Sequence, residues 1–159
     1  YFKVTGRPLA MLAHGTVGLQ HAAMAVYNAW CDRSPMVLLA GNHMDITSRR
    51  PGVEWSHSAQ DCVRVIRDYI KWDDSPVSLQ HFAESMVRAY KIAMTPPMGP
   101  VAVVLEGHLQ EDEVGDQQLQ IPAMTPTQPP SDRHRHRRCH RHRTSRGDPK
   151  VLRFRRRGP

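Results

Sequence analysis

A chain of 159 residues can form one domain of ordinary size, but its charge is unevenly spread. Residues 1–130 hold 10 Lys and Arg against 13 Asp and Glu, a net of −3, whereas residues 131–159 hold 12 against 2, a net of +10. The formal charge of +7 therefore belongs to the tail, so a basic whole-chain balance does not argue for a nucleic-acid-binding fold. No apolar run approaches the length that spans a bilayer, and no signal-peptide pattern is present. Cys31, Cys62 and Cys139 stand far apart in unlike contexts, and a reducing cytoplasm is the default expectation. Cys31 and Cys62 fall in predicted helices and are expected to pack as small apolar residues. The chain opens on Tyr1 about eight residues before its first predicted strand, and it reads as a fragment of something longer.

In chain order, Leu9 to Ala13 is a short apolar run without polar alternation, as expected of a parallel strand covered on both faces. His14-Gly15-Thr16-Val17-Gly18 is a predicted turn in which Gly18 supplies backbone angles that a side chain would forbid. From Leu19 to about Cys31, the residues Leu19, Ala22, Ala23, Val26, Ala29 and Trp30 recur at helical spacing. Met24, Tyr27 and Cys31 widen that stripe, so the helix is expected to be largely buried. Asp32-Arg33-Ser34-Pro35 ends it, and Met36 to Ala40 is a second apolar strand closed by Gly41-Asn42. Strand, helix and strand make a βαβ unit with a right-handed crossover.

A polar loop runs from His43 to His57. Ser58-Ala59-Gln60-Asp61 has the form of a capping box, and Cys62, Val65, Ile66 and Tyr69 give the predicted helix after it a buried face. Lys71 to Asp74 is a short extended segment. Ser78 is the N-cap of the next helix, with Val77 and Phe82 spaced as a hydrophobic staple. Leu79, Phe82, Met86, Ala89, Tyr90 and Ala93 form its apolar stripe, while Glu84 and Arg88 make an i,i+4 pair on the wet side. Thr95 to Pro100 stops that helix, and Val101 to Leu105 is a third buried strand. Residues 108–130 read as a linker, and 131–159 as a disordered basic tail with no apolar periodicity.

The glycine turn at 14–18, the helix ending Asn28-Ala29-Trp30-Cys31-Asp32-Arg33-Ser34-Pro35, and the strand ending Ala40-Gly41-Asn42 resemble the pyrimidine-binding domain of thiamine diphosphate enzymes of the acetolactate synthase type. Gln60-Asp61 and Lys71-Trp72 match the same family further on, and the resemblance covers residues 1 to about 107. Thr16-Val17-Gly18 stands where the family usually has Gly-Pro-Gly, and His21 where it often has Asn. The fold this implies is α/β: a three-layer open parallel sheet, the thiamine diphosphate-binding fold in incomplete form, followed by the disordered tail. The implied cofactor-binding residues are His14, Gly15, Thr16, Val17, Gly18, His57 and Gln60.

The resemblance further implies addition of the thiazolium carbanion to a 2-keto acid, decarboxylation and acyl transfer. Mg²⁺ would be held by a domain absent here, FAD would accompany some members, and a second subunit of a homodimer or homotetramer would complete the site. The family's activating glutamate and its G-D-G…N motif have no counterpart in this chain, so no catalytic residue and no metal ligand is assigned, and the isolated chain is expected to be inactive. Independently of the family, turns at the carboxyl ends of parallel strands are where open α/β sheets bind ligands. Gln60 can both donate and accept a hydrogen bond, although a first-turn helix residue is its plain alternative. His14, His21, His43 and His57 lack metal-site spacing.

The family would begin an Ala-rich helix where this chain has Arg133 to Arg143, so the tail is also explained by a frameshift in GC-rich DNA. As it stands, it would contact nucleic acid only non-specifically, with Phe154 its sole aromatic residue. A non-catalytic, basic-tailed protein that binds nucleic acid or acidic partners is the alternative of a different class.

Overall fold

A computed structural model describes residues 1–43 and 57–124. The order is α1 (Phe2–Thr5), β1 (Leu9–Ala13), α2 (Gly15–Cys31), β2 (Met36–Asn42), two 3₁₀ turns (Cys62–Val65 and Arg67–Tyr69), β3 (Asp73–Asp74), α3 (Leu79–Met94), β4 (Pro100–Glu106) and α4 (Gly107–Glu111). The strands form one sheet in the order β1-β2-β4-β3, and every pairing is parallel. Leu9 faces Met36 and Met36 faces Pro100, so the three long strands start level; β2 and β4 end together, and β1 stops two residues short at the same carboxyl edge. The three apolar runs are thus the three long strands, as expected.

Alternation along β2 and β4 sorts their side chains to two faces. Met36, Leu38, Ala40, Ala102 and Val104 pack with Leu19, Val26 and Ala29 of α2 and with Cys62, Val63, Ile66 and Ile70. Val37, Val101 and Val103 pack on the other face with Ala89 and Ala93 of α3, bordered by Phe82, Met86 and Trp72. Helical layers therefore lie on both sides of the sheet, the three-layer arrangement the family resemblance implies.

Several local expectations are corrected. β1 is an edge strand with one face bare: Met11 and Ala13 pack toward α2, but Leu12 is 82% exposed because α3 lies over β2 and β4 and does not reach it. α2 starts at Gly15, so residues 15–18 are its first turn and not a separate loop. The positive φ falls on Gly15, at +38°, and not on Gly18. Gly18 serves instead as a close-approach residue, since a Cβ there would lie 3.0 Å from the Ala13 carbonyl carbon. α2 is buried on one side only; Met24, Tyr27 and Cys31 are exposed, because the sheet covers a single face of the helix.

The segment after Asp61 forms two 3₁₀ turns, which bury Cys62, Val63, Ile66 and Ile70 and leave Val65 exposed. The capping box does not form. Asp61 is taken by the Arg67 guanidinium at 2.5 and 2.7 Å, and the Ser58 hydroxyl accepts from the His43 N–H. Lys71 to Asp74 is extended as expected: the Trp72 carbonyl accepts from Ala102 N–H, and Asp73–Asp74 form the far edge strand. The Lys71 ammonium donates to the carbonyls of Ile92 and Thr95, and so caps the end of α3.

Ser78 caps α3 through a bond from His81 N–H at 3.1 Å. The staple is absent: Val77 is 76% exposed, and its N–H donates to His81 Nδ1, so a polar reciprocal cap holds the chain where an apolar contact was expected. Glu84 accepts from Gln80 in place of the expected pair with Arg88. Within the expected linker, residues 107–111 are helical, and Gln80 clasps the Gln120 backbone with bonds of 2.8 and 2.9 Å. The tail and residues 44–56 lie outside the described residues.

Candidate functional site

The carboxyl edge of the sheet collects Ala13-His14-Gly15 after β1, Gly41-Asn42-His43 at the end of β2 and Glu106-Gly107 at the end of β4. Gly15 lets the chain leave β1 and enter α2 within one residue. Its left-handed backbone disfavours a side chain, and a Cβ would sit 2.9 Å from the Gly41 carbonyl oxygen and 3.1 Å from that of His57. The three segments are therefore in main-chain contact. Thr16 N–H donates to the His57 carbonyl at 3.4 Å, and His14 Nε2 lies 3.1 Å from His57 Nδ1.

Asn42 ties the floor together. Its Nδ2 donates to the Ala59 carbonyl and to Glu106 Oε1, each at 3.2 Å, while its Oδ1 is buried with no partner among the described residues. The Thr16 hydroxyl is left in the same condition. Such atoms are costly in a closed interior when no partner is supplied.

At the strand ends lies a cavity of about 280 Å³, lined by Leu12, Leu39 and Leu105, by Ala13, Ala40 and Gly41, and by the polar residues His14 and Gln110. Gln110 comes from α4 and is held by a bond from its Nε2 to the Leu105 carbonyl at 2.8 Å. A Cβ on Gly41 would lie 2.8 Å from its Oε1, so glycine at 41 makes the space Gln110 occupies. An apolar wall with a few placed polar groups is the usual composition of a small-molecule site.

Of the seven residues expected at the cofactor, His14, Gly15, Thr16 and His57 come together here. Val17 is exposed on α2, Gly18 is used against Ala13, and Gln60 is exposed in the following turn and does not line the cavity. Sequence reading missed Asn42, Glu106 and Gln110. Asn42 and Glu106 were legible as polar residues ending apolar runs; Gln110 sat in a stretch with no periodic signal.

Nearby charges are structural. The Arg67 guanidinium holds Asp61 below the usual carboxylate range, and burial pushes the Cys62 thiol up to about 11. Among the described residues no cluster of three or more His, Cys, Asp or Glu is placed to hold a metal ion.

Residues 1–63 match the model of the thiamine pyrophosphate enzyme N-terminal TPP binding domain. Over those residues the chain is similar to the N-terminal domain of thiamine diphosphate-dependent enzymes. Over 97 residues it is 29% identical to a benzoylformate decarboxylase from Pseudomonas aeruginosa, covering 61% of this chain and 18% of that protein. A thiamine diphosphate-dependent 4-hydroxybenzoylformate decarboxylase from Rhodococcus jostii superposes with a TM-score of 0.58 at 25% identity, over 67% of this chain and 20% of the other. A benzoylformate decarboxylase from Polynucleobacter necessarius shares the fold, with a TM-score of 0.68 at 20% identity, over 86% of this chain and 25% of its own. The chain thus spans about a fifth to a quarter of the length of these relatives.

The donor set fits one end of thiamine diphosphate. The leucine wall with His14 and Gln110 suits a planar heteroaromatic ring, whereas among the described residues no cationic side chain lines the cavity for a diphosphate.

Proposed function

We propose that this chain supplies the ring-binding wall of a thiamine diphosphate site in an enzyme that decarboxylates a 2-keto acid. The observation that carries this reading is the cavity at the carboxyl edge, with its leucine wall, His14 and Gln110, inside a domain matched to the thiamine pyrophosphate enzymes. In this reading His14 faces the ring, Gly15, Thr16 and His57 hold the turn beside it, and Val17, Gly18 and Gln60 stand outside the cavity. Thiamine diphosphate, when bound, would supply a carbanion for the keto carbon, and the residues here would hold its ring and place the His14 imidazole beside it. Mg²⁺ is held by residues beyond those described, and FAD is not needed for a decarboxylation, which transfers no electrons.

The relatives named as benzoylformate decarboxylases favour release of an aldehyde over the acyl transfer to a second keto acid expected of an acetolactate synthase type. Residues 1–107 act as the binding body, and a second subunit completes the site. A cytoplasmic setting accords with the free thiols of Cys31 and Cys62. No described helix is long and apolar enough to cross a membrane.

The test is calorimetric titration with thiamine diphosphate and Mg²⁺, on the full chain alone and on the chain co-expressed with the remaining domains of a benzoylformate decarboxylase. We expect no measurable heat from the chain alone and saturable binding from the complemented protein, with benzoylformate converted to aldehyde. Complementation without binding would overturn the reading. Stoichiometric binding by the chain alone would show that the site is complete and not one wall.

A further inference from the structure

We propose that Gln80 is a latch: through the main chain of Gln120 it fastens residues 113–124 as a strap to the first turn of α3, and the strap in turn holds α4, with Gln110, against the cavity. The Gln80 amide is fully used. Its Nε2 donates to the Gln120 carbonyl at 2.8 Å and to Glu84 Oε1 at 2.9 Å, while its Oε1 accepts from the Gln120 N–H at 2.9 Å. An ionised carboxylate only accepts, so Glu84 fixes which end of the amide faces it and leaves the Gln80 Oε1 for the Gln120 N–H. The N–H and C=O of one residue turn to the same side when that residue is extended, as in an antiparallel pair, so the Gln80 side chain stands in for a neighbouring strand. The latch thus reads backbone. The Gln120 side chain makes no hydrogen bond among the described residues.

Among the described residues, no other hydrogen bond or ion pair joins 113–124 to the rest of the domain. Apolar burial does not anchor the strap either: Val114, Leu119, Ile121 and Met124 are exposed, Ile121 to 72%. The attachment therefore rests on the two bonds to Gln80. At its other end the strap is continuous with α4, where Asp112 N–H donates to the His108 carbonyl at 3.0 Å. A five-residue helix lies far below the length that is stable by itself in water, so α4 depends on its tethers. β4 runs directly into its first residue, Gln110 bonds the Leu105 carbonyl, and the strap ties down its last turn. Release at Gln80 turns the closed loop between α4 and Gln120 into an open one.

A latch of two exposed hydrogen bonds opens far more readily than the core around it. Each opening loosens the side of the cavity that Gln110 forms, and the sheet does not have to move. The cavity then has a fixed side, the strand ends, and a movable side, α4. This device concerns the wall of the cavity and does not rest on the thiamine diphosphate reading.

The experiment is hydrogen–deuterium exchange of the full chain without cofactor, read by mass spectrometry on peptides spanning 107–112 and 113–124, in the wild type, Gln80→Ala, Gln80→Glu and Gln120→Ala. Alanine and glutamate are good helix formers and Gln80 is half-buried, so the variants keep the fold, and matching urea midpoints verify it. Loss of both bonds should lower the protection of the Gln120 amide roughly 10- to 100-fold in Gln80→Ala. Gln80→Glu loses both donors and sets a second carboxylate beside Glu84, so it should release the strap as well. Gln120→Ala should leave the protection unchanged, because the main chain is what Gln80 holds. In both Gln80 variants the amides of 107–112 should exchange faster than in the wild type. Equal exchange of the Gln120 amide in the wild type and Gln80→Ala would overturn the latch, as would an equal release by Gln120→Ala. A change confined to 113–124, with α4 unaltered, would overturn the link to the cavity wall. These results are independent of whether the complemented protein binds thiamine diphosphate, so the two failures are told apart.

Discussion

Replacing Gly15 by alanine tests whether the junction of β1 and α2 is as tight as its geometry requires. Two costs add. A side chain held at a positive φ of 38° loses about 1–2 kcal/mol to the clash of Cβ with the neighbouring carbonyl. The new Cβ would also stand 2.9 and 3.1 Å from two main-chain oxygens that belong to other segments and cannot rotate away. Overpacking of that kind costs roughly 1–3 kcal/mol. The sum, about 2–5 kcal/mol, is a large part of the roughly 5–15 kcal/mol that holds a domain folded. Gly6 is the internal control: its φ is +68°, but a Cβ there meets nothing within 4 Å, and α1 buries no residue. Gly6→Ala is expected to cost about 1–2 kcal/mol, the backbone part alone. Urea unfolding followed by the helical signal, with a slope of about 1–3 kcal/mol per molar, should move the midpoint by roughly 1–2 M for Gly15→Ala and by about half of that for Gly6→Ala. Equal midpoints for the two variants would refute the claim that packing at Gly15, and not chain direction alone, demands glycine.

Three further outcomes follow. Lys71→Met keeps the aliphatic stem but strips the donor from the Ile92 and Thr95 carbonyls, and it should cost about 1–3 kcal/mol in the same urea assay; an unchanged midpoint would show that water replaces the ammonium. Cys31 should be alkylated within minutes at pH 8 while Cys62 reacts only on unfolding, as mass spectrometry of the labelled peptides will read; because the Cys62 thiol is raised from 9.0 to about 11, the unfolded state loses its proton first, so stability falls as pH rises from 9 toward 11. The bare face of β1 and the exposed Met24 and Tyr27 of α2 should make the purified chain self-associate, with light scattering showing a mass that grows with concentration and shrinks in Leu12→Lys; a monodisperse monomer at about 100 µM would count against it.

The strands were legible because burial on the sheet leaves an unbroken apolar run, and Met36 to Ala40 and Val101 to Leu105 could hardly be anything else. The 3₁₀ turns were not. Cys62, Val65, Ile66 and Tyr69 fit a period of 3.6, but the fork of Arg67 on Asp61 and Asp73 draws the chain into a tighter path that buries Val63 and Ile70 instead. The same limit applies to the site. His14 and Gly15 announce themselves at the end of an apolar run, whereas the pairing of His14 with His57 depends on a contact across 43 residues, which no local pattern encodes. Gln110 was hidden for a different reason: a five-residue helix buries no stripe, so it has no periodicity to read.

The two edges of the sheet are built in opposite ways. β3 is two residues long and acidic, and its carboxylates are occupied by Arg67, His81 and Ser85, so it offers little to a further strand. Short, charged edges are how natural sheets avoid unwanted pairing. β1 is five residues long and carries no charge; Leu9 and Leu12 are exposed, and its outer side is unpaired among the described residues. The sequence spends charge on one edge and none on the other, which is the pattern of a surface meant to be covered. The leucine wall of the cavity lies on that same uncovered side, since Leu12 belongs to both. Whatever closes the β1 edge therefore also sets one side of the cavity, and ligand affinity and oligomeric state should change together when Leu12 is altered.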